Sequence, residues 1–310
     1  MKLPLCCPLA IALMAVASAA EVPQPIPLRA ADGPVIALWQ KAANPNKPYI
    51  AQLYAPGDKP VPLLEDSPPD HFHHHGLMFA IGVDDTDFWS EKAIKNAGRQ
   101  EAADSLAAAA GDGFTQKLRW LATDGTRLLD ETRRVRVRAT GKGAEAVNWL
   151  DWESILTPAA GRDAVRLFGS HYFGLGMRFL PAWANKAELL FSNTTGQTVV
   201  RGDEKLTPGA WAALRCDIDG HPVTVLMIEH PANSRATKWF TMGQPFCYLS
   251  AALGLDSTPA QLKAGERWTL RYGLAIISGP TDTARLTKLA AEWTSSNPIP
   301  SDHQPNPAIP

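Results

Sequence analysis

The chain has little with which to cross-link itself or to span a membrane. Only four of its 310 residues are cysteine. Cys6 and Cys7 lie in the first 20 residues, so Cys216 and Cys247 leave at most one bridge in the rest. An oxidising compartment permits that bridge, and two buried free thiols fit the sequence equally well. After residue 20 no apolar run approaches the roughly 20 residues that a membrane-crossing helix needs. An excess of charge is missing as well: 30 Lys and Arg stand against 31 Asp and Glu. That balance offers no electrostatic case for a nucleic acid partner or an anionic membrane surface. No repeat of solenoid or propeller length is present either.

What is present begins with MKLPLCCPLAIALMAVASAA, which carries Lys2 as its one charge, an apolar run through Val16, and small residues at Ser18 and Ala20. These are the features of a signal peptide cleaved near Ala20, so the mature protein is expected in the periplasm or outside the cell. Cys6 and Cys7 precede the apolar run, which argues against covalent lipid attachment. Residues 21–295 are expected to form one domain, and the proline-rich stretch 296–310 a mobile tail.

Short apolar or alternating runs bounded by turn residues fill the middle. FTQKLRWLA and TRLLDETRRVRVRA meet at Asp124-Gly125, and ALRCDI and PVTVLMIE meet at Asp219-Gly220. Both junctions are hairpin signatures. In RRVRVRA, Val135 and Val137 share one face and Arg134, Arg136 and Arg138 the other, as in a sheet with one dry and one wet side. Helical periodicity is convincing only in TDTARLTKLAAEWTSS, where Leu286, Leu289, Ala290 and Trp293 align. Many strands against one clear helix predict an all-β antiparallel sandwich with a short C-terminal helix. EAADSLAAAAGDG is ambiguous, helical by propensity but placed between strands.

Histidine is the residue whose distribution is unusual. Of 8 in the chain, His71, His73, His74 and His75 fall inside DHFHHHG, residues Asp70 to Gly76. An extended backbone would put His71, His73 and His75 on one face with neighbours roughly 7 Å apart. A tight turn would instead let His71 and His74 converge. Either way the cluster marks a loop-to-strand junction where sites tend to form. HPANSRATKWF sets His230 and Asn233 at a strand end, with Trp239 able to offer a flat face. HYFGLGMRF carries Arg178 in an apolar strand, where the charge needs a partner such as Asp151 or Glu153. Trp149, Asp151 and Glu153 alternate onto one face, a surface of the kind that lines saccharide clefts.

Together PPDHFHHHGLMFA, GLGMRF, HPAN, TKWF and DDTDFW with Trp89 resemble the blocks of the bacterial PmoA-like family, a domain of unknown function catalogued as methane oxygenase PmoA. His71, His73 and His74 match its first motif, and His75 stands where arginine is usual. The resemblance implies a β-sandwich, secreted or periplasmic members, and an association with carbohydrate use. The architecture it implies is similar to the sugar-binding sandwiches of the galactose mutarotase type, in which His and carboxylate residues transfer protons.

The expectation is therefore an exported carbohydrate-active protein, an enzyme using His71, His73, His74 and His230 for general acid and base catalysis on a glycoside or modified sugar. Asp70, His75, Glu153, Arg178, Asn233 and Trp239 are the candidate substrate-binding residues, and His230 and Asn233 are expected to face the histidine cluster across one cleft. The partner is a small-molecule or oligosaccharide substrate. Two alternatives remain: copper or zinc held by His71, His73, His74 and His230 in an oxidoreductase, and a sugar-binding module without catalysis.

Overall fold

The computed structural model describes residues 24–31, 33–40, 46–103 and 111–298. The stretch expected to be a signal peptide, most of the proline-rich tail and the centre of EAADSLAAAAGDG lie outside the described residues. Two large antiparallel sheets face each other. Among the described residues one has ten strands and runs Ile26–Arg29, Val35–Gln40, Tyr49–Ala55, Leu77–Ala80, Gly174–Arg178, Tyr248–Ala252, Lys238–Met242, Glu204–Pro208, Thr198–Arg201, with Val61–Pro62 joined to Tyr49–Ala55. The other has eight, in the order Glu188–Phe191, Trp211–Ile218, His221–Glu229, Trp268–Ser278, Val147–Pro158, Arg127–Thr140, Gly113–Leu121, Arg99–Ala102. A four-stranded sheet of short strands flanks them.

The chain alternates as a sandwich requires. Val135 and Val137 are buried between the sheets while Arg134 and Arg136 are exposed. At the second hairpin Ile218 pairs with His221, and the two residues between, Asp219 and Gly220, both have positive φ (52° and 82°). That is the backbone a two-residue turn needs to match the strand twist. Trp39 meets Phe114 at 4.2 Å and Trp152 at 6.4 Å between ring centroids, so aromatic packing joins the two sheets through one apolar core. Among the described residues no helix is long and apolar enough to cross a membrane.

A second, smaller core covers the outer face of the eight-stranded sheet. The helix Thr283–Ser296, capped by the Asp282 side chain on the Arg285 amide, lays Leu286, Ala290 and Trp293 over Trp149, Trp211, Ile228 and Ile277. Gly273 makes room for it, since a Cβ there would stand 2.4 Å from the Trp293 ring. This docking corrects the expectation for the Trp149, Asp151 and Glu153 face. Trp149 is buried under the helix, Asp151 accepts from Trp293 Nε1 at 2.7 Å, and Glu153 pairs with Arg134 and with Arg271 at 2.6 Å. Charged residues on a sheet were enough to mimic a cleft, but here they rim a helix.

Candidate functional site

The histidine run is a turn, not a strand. His71 N donates to Pro68 O at 3.1 Å, His74 N to His71 O at 2.8 Å and Ser67 N to His74 O at 2.8 Å, so the chain doubles back within a few residues. Consecutive prolines at Pro68 and Pro69 and the positive φ of Ser67 (50°) open that turn. Gly76 closes it, where a Cβ would meet the Ile50 carbonyl oxygen at 2.2 Å. In consequence His71 and His74 stack, with centroids 4.7 Å apart and planes 22° from parallel. His73 stands edge-on to both, at 5.7 and 4.7 Å.

Arg178 fastens this turn to the sheet. Its Nε donates to Glu65 Oε2 at 2.9 Å and its Nη2 to both Asp70 oxygens at 3.0 Å, while the guanidinium lies 3.6 Å over the Phe246 ring. The expected partners Asp151 and Glu153 belong to the other sheet. Asp70 also stands 3.1 Å from His71 Nδ1, at the exposed side of the cluster.

Register decides what else reaches the turn. Across the ten-stranded sheet Trp239, Ala251, Leu175 and Phe79 lie in one row, and Phe79 contacts Trp120 of the facing sheet, so this row points into the core. Phe240, Ser250 and Gly176, and beside them Met242, Tyr248 and Arg178, point to the outer face. There they meet the histidine turn and form a cleft of about 240 Å³ lined by His71, His73, His74, Trp89, Tyr172, Arg201, Glu204, Phe240, Met242, Pro245, Phe246 and Tyr248.

The cleft is aromatic with polar points. The Nδ1 atoms of His73 and His74, Trp89 Nε1 and the Tyr248 hydroxyl are buried and have no partner among the described residues. Arg178 Nη1 is in the same condition behind Phe246. Buried polar atoms are nearly always paired, so a group of orphans around one cleft makes it the candidate site. On the wall facing away from the turn, Glu204 accepts from Arg201 Nη2 at 2.6 Å and stands 3.2 Å from His171 Nε2. Burial, and after it the positive charge of Lys47, pushes His73 down to about 4; burial, and then His73 and His71, pushes His74 down to about 2. Both imidazoles are neutral at pH 7.

Several expected members do not join. Trp239 is fully buried and its Nε1 donates to Gly209 O at 2.7 Å; its neighbour Phe240 takes the cleft position. His230 donates through Nε2 to Asn297 O at 2.7 Å and accepts through Nδ1 from Ala232 N at 3.1 Å, beneath the C-terminal end of the helix. Asn233 binds both backbone groups of Arg271, as donor at 3.1 Å and acceptor at 2.7 Å. Both residues terminate a strand of the eight-stranded sheet, so the single cleft shared with the histidine cluster is corrected. His75 is buried behind the turn rather than in the cleft, and Glu153 lies on the helix side. The residues that motif reading missed are Arg201, Glu204, Tyr172, Phe246 and Tyr248, which carry no spacing signal because they come from three separate stretches of the chain.

Among the described residues no three His, Cys, Asp or Glu side chains are arranged to hold a metal ion. Cys216 and Cys247 are buried free thiols, and burial pushes the Cys247 thiol up to about 12.

Comparison with known proteins gives a family without an activity. The model of a family of unknown function, DUF6807, matches residues 27–291, and this replaces the PmoA-like family that the motifs resembled. No curated protein matches. One similar solved structure, provisionally named a kojibiose phosphorylase, from human microbiome, has a TM-score of 0.31 and 10% identity. The alignment covers 88% of this chain and 32% of that one, so the chain spans about a third of its length.

Proposed function

The chain belongs to DUF6807, a family of unknown function, and from the chemistry of its cleft we propose that it is an exported enzyme acting on a saccharide by proton abstraction. One observation carries this: unpaired polar atoms of His73, His74, Trp89 and Tyr248 surround a cleft whose walls are aromatic rings. Sugars present that complement, with C–H faces for rings to cover and hydroxyls for buried donors and acceptors. Trp89, Tyr172, Phe240 and Phe246 supply the faces. Glu204, held by Arg201 and His171, supplies a carboxylate that accepts from hydroxyls.

The neutral state of the histidines sets the order of events. An imidazole that enters the cycle without a proton acts first as a base and returns the proton afterwards as an acid. His73, less deeply buried than His74, is the group for that step. His74 serves as a neutral hydrogen-bonding partner. His71, paired with Asp70 at the exposed edge, is placed to exchange protons with solvent. Base-first chemistry favours isomerisation or elimination over hydrolysis, which needs an acid ready for the leaving group.

The test is a panel of neutral and acidic mono- and disaccharides, screened by ligand-detected NMR and then for turnover. Binding and turnover are expected in the parent, and His73→Gln should lower turnover roughly 10²- to 10⁴-fold without changing the melting temperature. Failure of every saccharide to bind would overturn the proposal. A melting temperature raised by zinc or copper in the parent, and not in His73→Gln, would replace it with a metal-dependent reaction.

A further inference from the structure

Behind the cleft lies a set of ionisable groups that the proton-transfer scheme leaves unused. His75 is held at both ring nitrogens: Nδ1 is 2.9 Å from Ser67 Oγ and 3.1 Å from Asp66 Oδ1, and Nε2 is 2.9 Å from Glu91 Oε1. Tyr49 stacks on its ring at 4.6 Å and donates to Asp66 Oδ2 at 2.8 Å. The same Glu91 oxygen accepts from Lys47 Nζ at 2.6 Å, and Nζ also donates to the Trp89 carbonyl at 2.8 Å. Lys47 is fully buried and Glu91 nearly so.

This assembly is a costly way to stabilise a sandwich. Ser67 and Glu91, which bring oxygens to opposite sides of His75, both hold the left-handed backbone at φ 50°. Such conformations are strained in a residue other than glycine. A buried ion pair is itself weak evidence of stabilisation, since apolar residues of similar volume often serve as well or better. What the groups accomplish is placement. His75 is covalently next to His74, and Lys47 grips the carbonyl of Trp89, so one Glu91 oxygen joins the histidine turn to the segment forming another cleft wall.

We propose that Lys47, Glu91 and His75 are positioning residues, a buried ionic clamp that holds His73 and His74 against Trp89 in the saccharide cleft and sets the charge behind the two imidazoles. The clamp's bearing on catalysis rests on the function proposed above; its electrostatic action does not. Burial works against the Glu91 carboxylate, yet the hydrogen bond from His75 and the charge of Lys47 hold its pKa below the ordinary value. Lys47 and Glu91 act on His73 with opposite signs, the ammonium disfavouring its protonation and the carboxylate favouring it. The other charged or titratable groups acting on the pair are His71, His75 and Arg178.

The experiment is NMR titration of the imidazole nitrogens in the full chain, with no saccharide present, for the parent and three variants. Lys47→Met should raise the His73 midpoint by on the order of one pH unit. Glu91→Gln should lower it, and Lys47→Arg should restore the parent value. A merely structural role predicts something else: loosening would let water in, and both Lys47→Met and Glu91→Gln would move His73 upward toward 6.5. Upward shifts in both, or no shift in either beside a lowered melting temperature, would overturn the clamp. If Lys47→Met does not fold, the direction of the Glu91→Gln shift decides alone. Opposite shifts in a protein that binds no saccharide would leave the clamp standing and remove only the substrate class.

Discussion

Removing a single oxygen from Tyr248 should make the protein more stable and a poorer binder. The side chain is almost fully buried, yet its hydroxyl has no partner among the described residues. Burial pushes its ionisation well above the ordinary phenol range, so the group stays an uncharged donor and acceptor. The ring is well packed, 5.1 Å from His74 and 6.3 Å from Phe240 between centroids, and Gly176 leaves the hydroxyl its space, since a Cβ there would approach to 2.5 Å. A buried hydroxyl left unpaired costs about 1–3 kcal/mol. Tyr248→Phe recovers that, less the few contacts one oxygen makes at about 0.1–0.2 kcal/mol each. A net gain of about 1–2 kcal/mol corresponds to a melting temperature higher by roughly 2 to 8 °C for a domain of this size. Binding should weaken at the same time by one hydrogen bond, about 0.5–1.5 kcal/mol or roughly 2- to 10-fold in Kd. Differential scanning calorimetry and isothermal titration with the tightest saccharide of the panel measure the two effects. A variant less stable than the parent by more than about 1 kcal/mol, with unchanged binding, would show that the hydroxyl serves the fold and is not waiting for a ligand.

Three further outcomes are expected. Burial raises the Glu229 carboxyl to about 7 against an ordinary 4.5, so the folded state binds the extra proton and this stabilisation, complete below pH 4.5, is lost as pH rises through 7. Glu229→Gln should therefore gain stability relative to the parent between pH 5 and 8 and show no such trend below 4.5; a flat difference across urea melts at each pH would refute it. His230→Ala should lose about 1–3 kcal/mol, because Ala232 N and Asn297 O lose their partner, while saccharide binding stays unchanged; weakened binding would restore His230 to the site. N-terminal sequencing of protein recovered from the periplasm or medium should begin near Glu21, and protein found in the cytoplasm with Met1 intact would contradict export.

Acid should destabilise the protein through the histidines themselves. His73 and His74 have folded pKa values of about 4 and about 2, below the ordinary 6.5, so the unfolded chain binds more protons and stability falls as pH drops from 6.5 toward those values. This trend opposes that of Glu229 between pH 4.5 and 6.5, and the Glu229→Gln series separates the two.

Much of the fold was legible because it rests on local periodicity. Val135 and Val137 against Arg134 and Arg136 identified a half-buried strand, Asp219-Gly220 a two-residue turn, and Leu286, Ala290 and Trp293 the packed side of a helix. Each pattern depends on residues within one element and on the alternation of side chains along it. The histidine cluster was legible as a candidate site for a similar reason, since so many imidazoles at one junction are compositionally rare. His230 and Asn233 misled because a polar turn at a strand end needs the same hydrogen-bonding groups that a site needs. Trp239 misled by one position: alternation implies that either it or Phe240 faces the cleft, and only the packing of Phe79 on Trp120 tells which row is inside.

By itself, then, the sequence determined the strands, their turns, the helix near the C-terminus and the concentration of imidazole at residues 71–75, all consequences of neighbours along the chain. The tertiary structure alone decided that the run folds as a turn with His71 stacked on His74, that Arg178 anchors it through Glu65 and Asp70, and that Glu204 and Tyr248 complete the cleft. It also decided the protonation states, because burial and the charge of Lys47, 26 residues before His73, hold that imidazole neutral. Desolvation and charge act through space, and distances through space follow from which sheet face meets which, a choice that no local pattern contains.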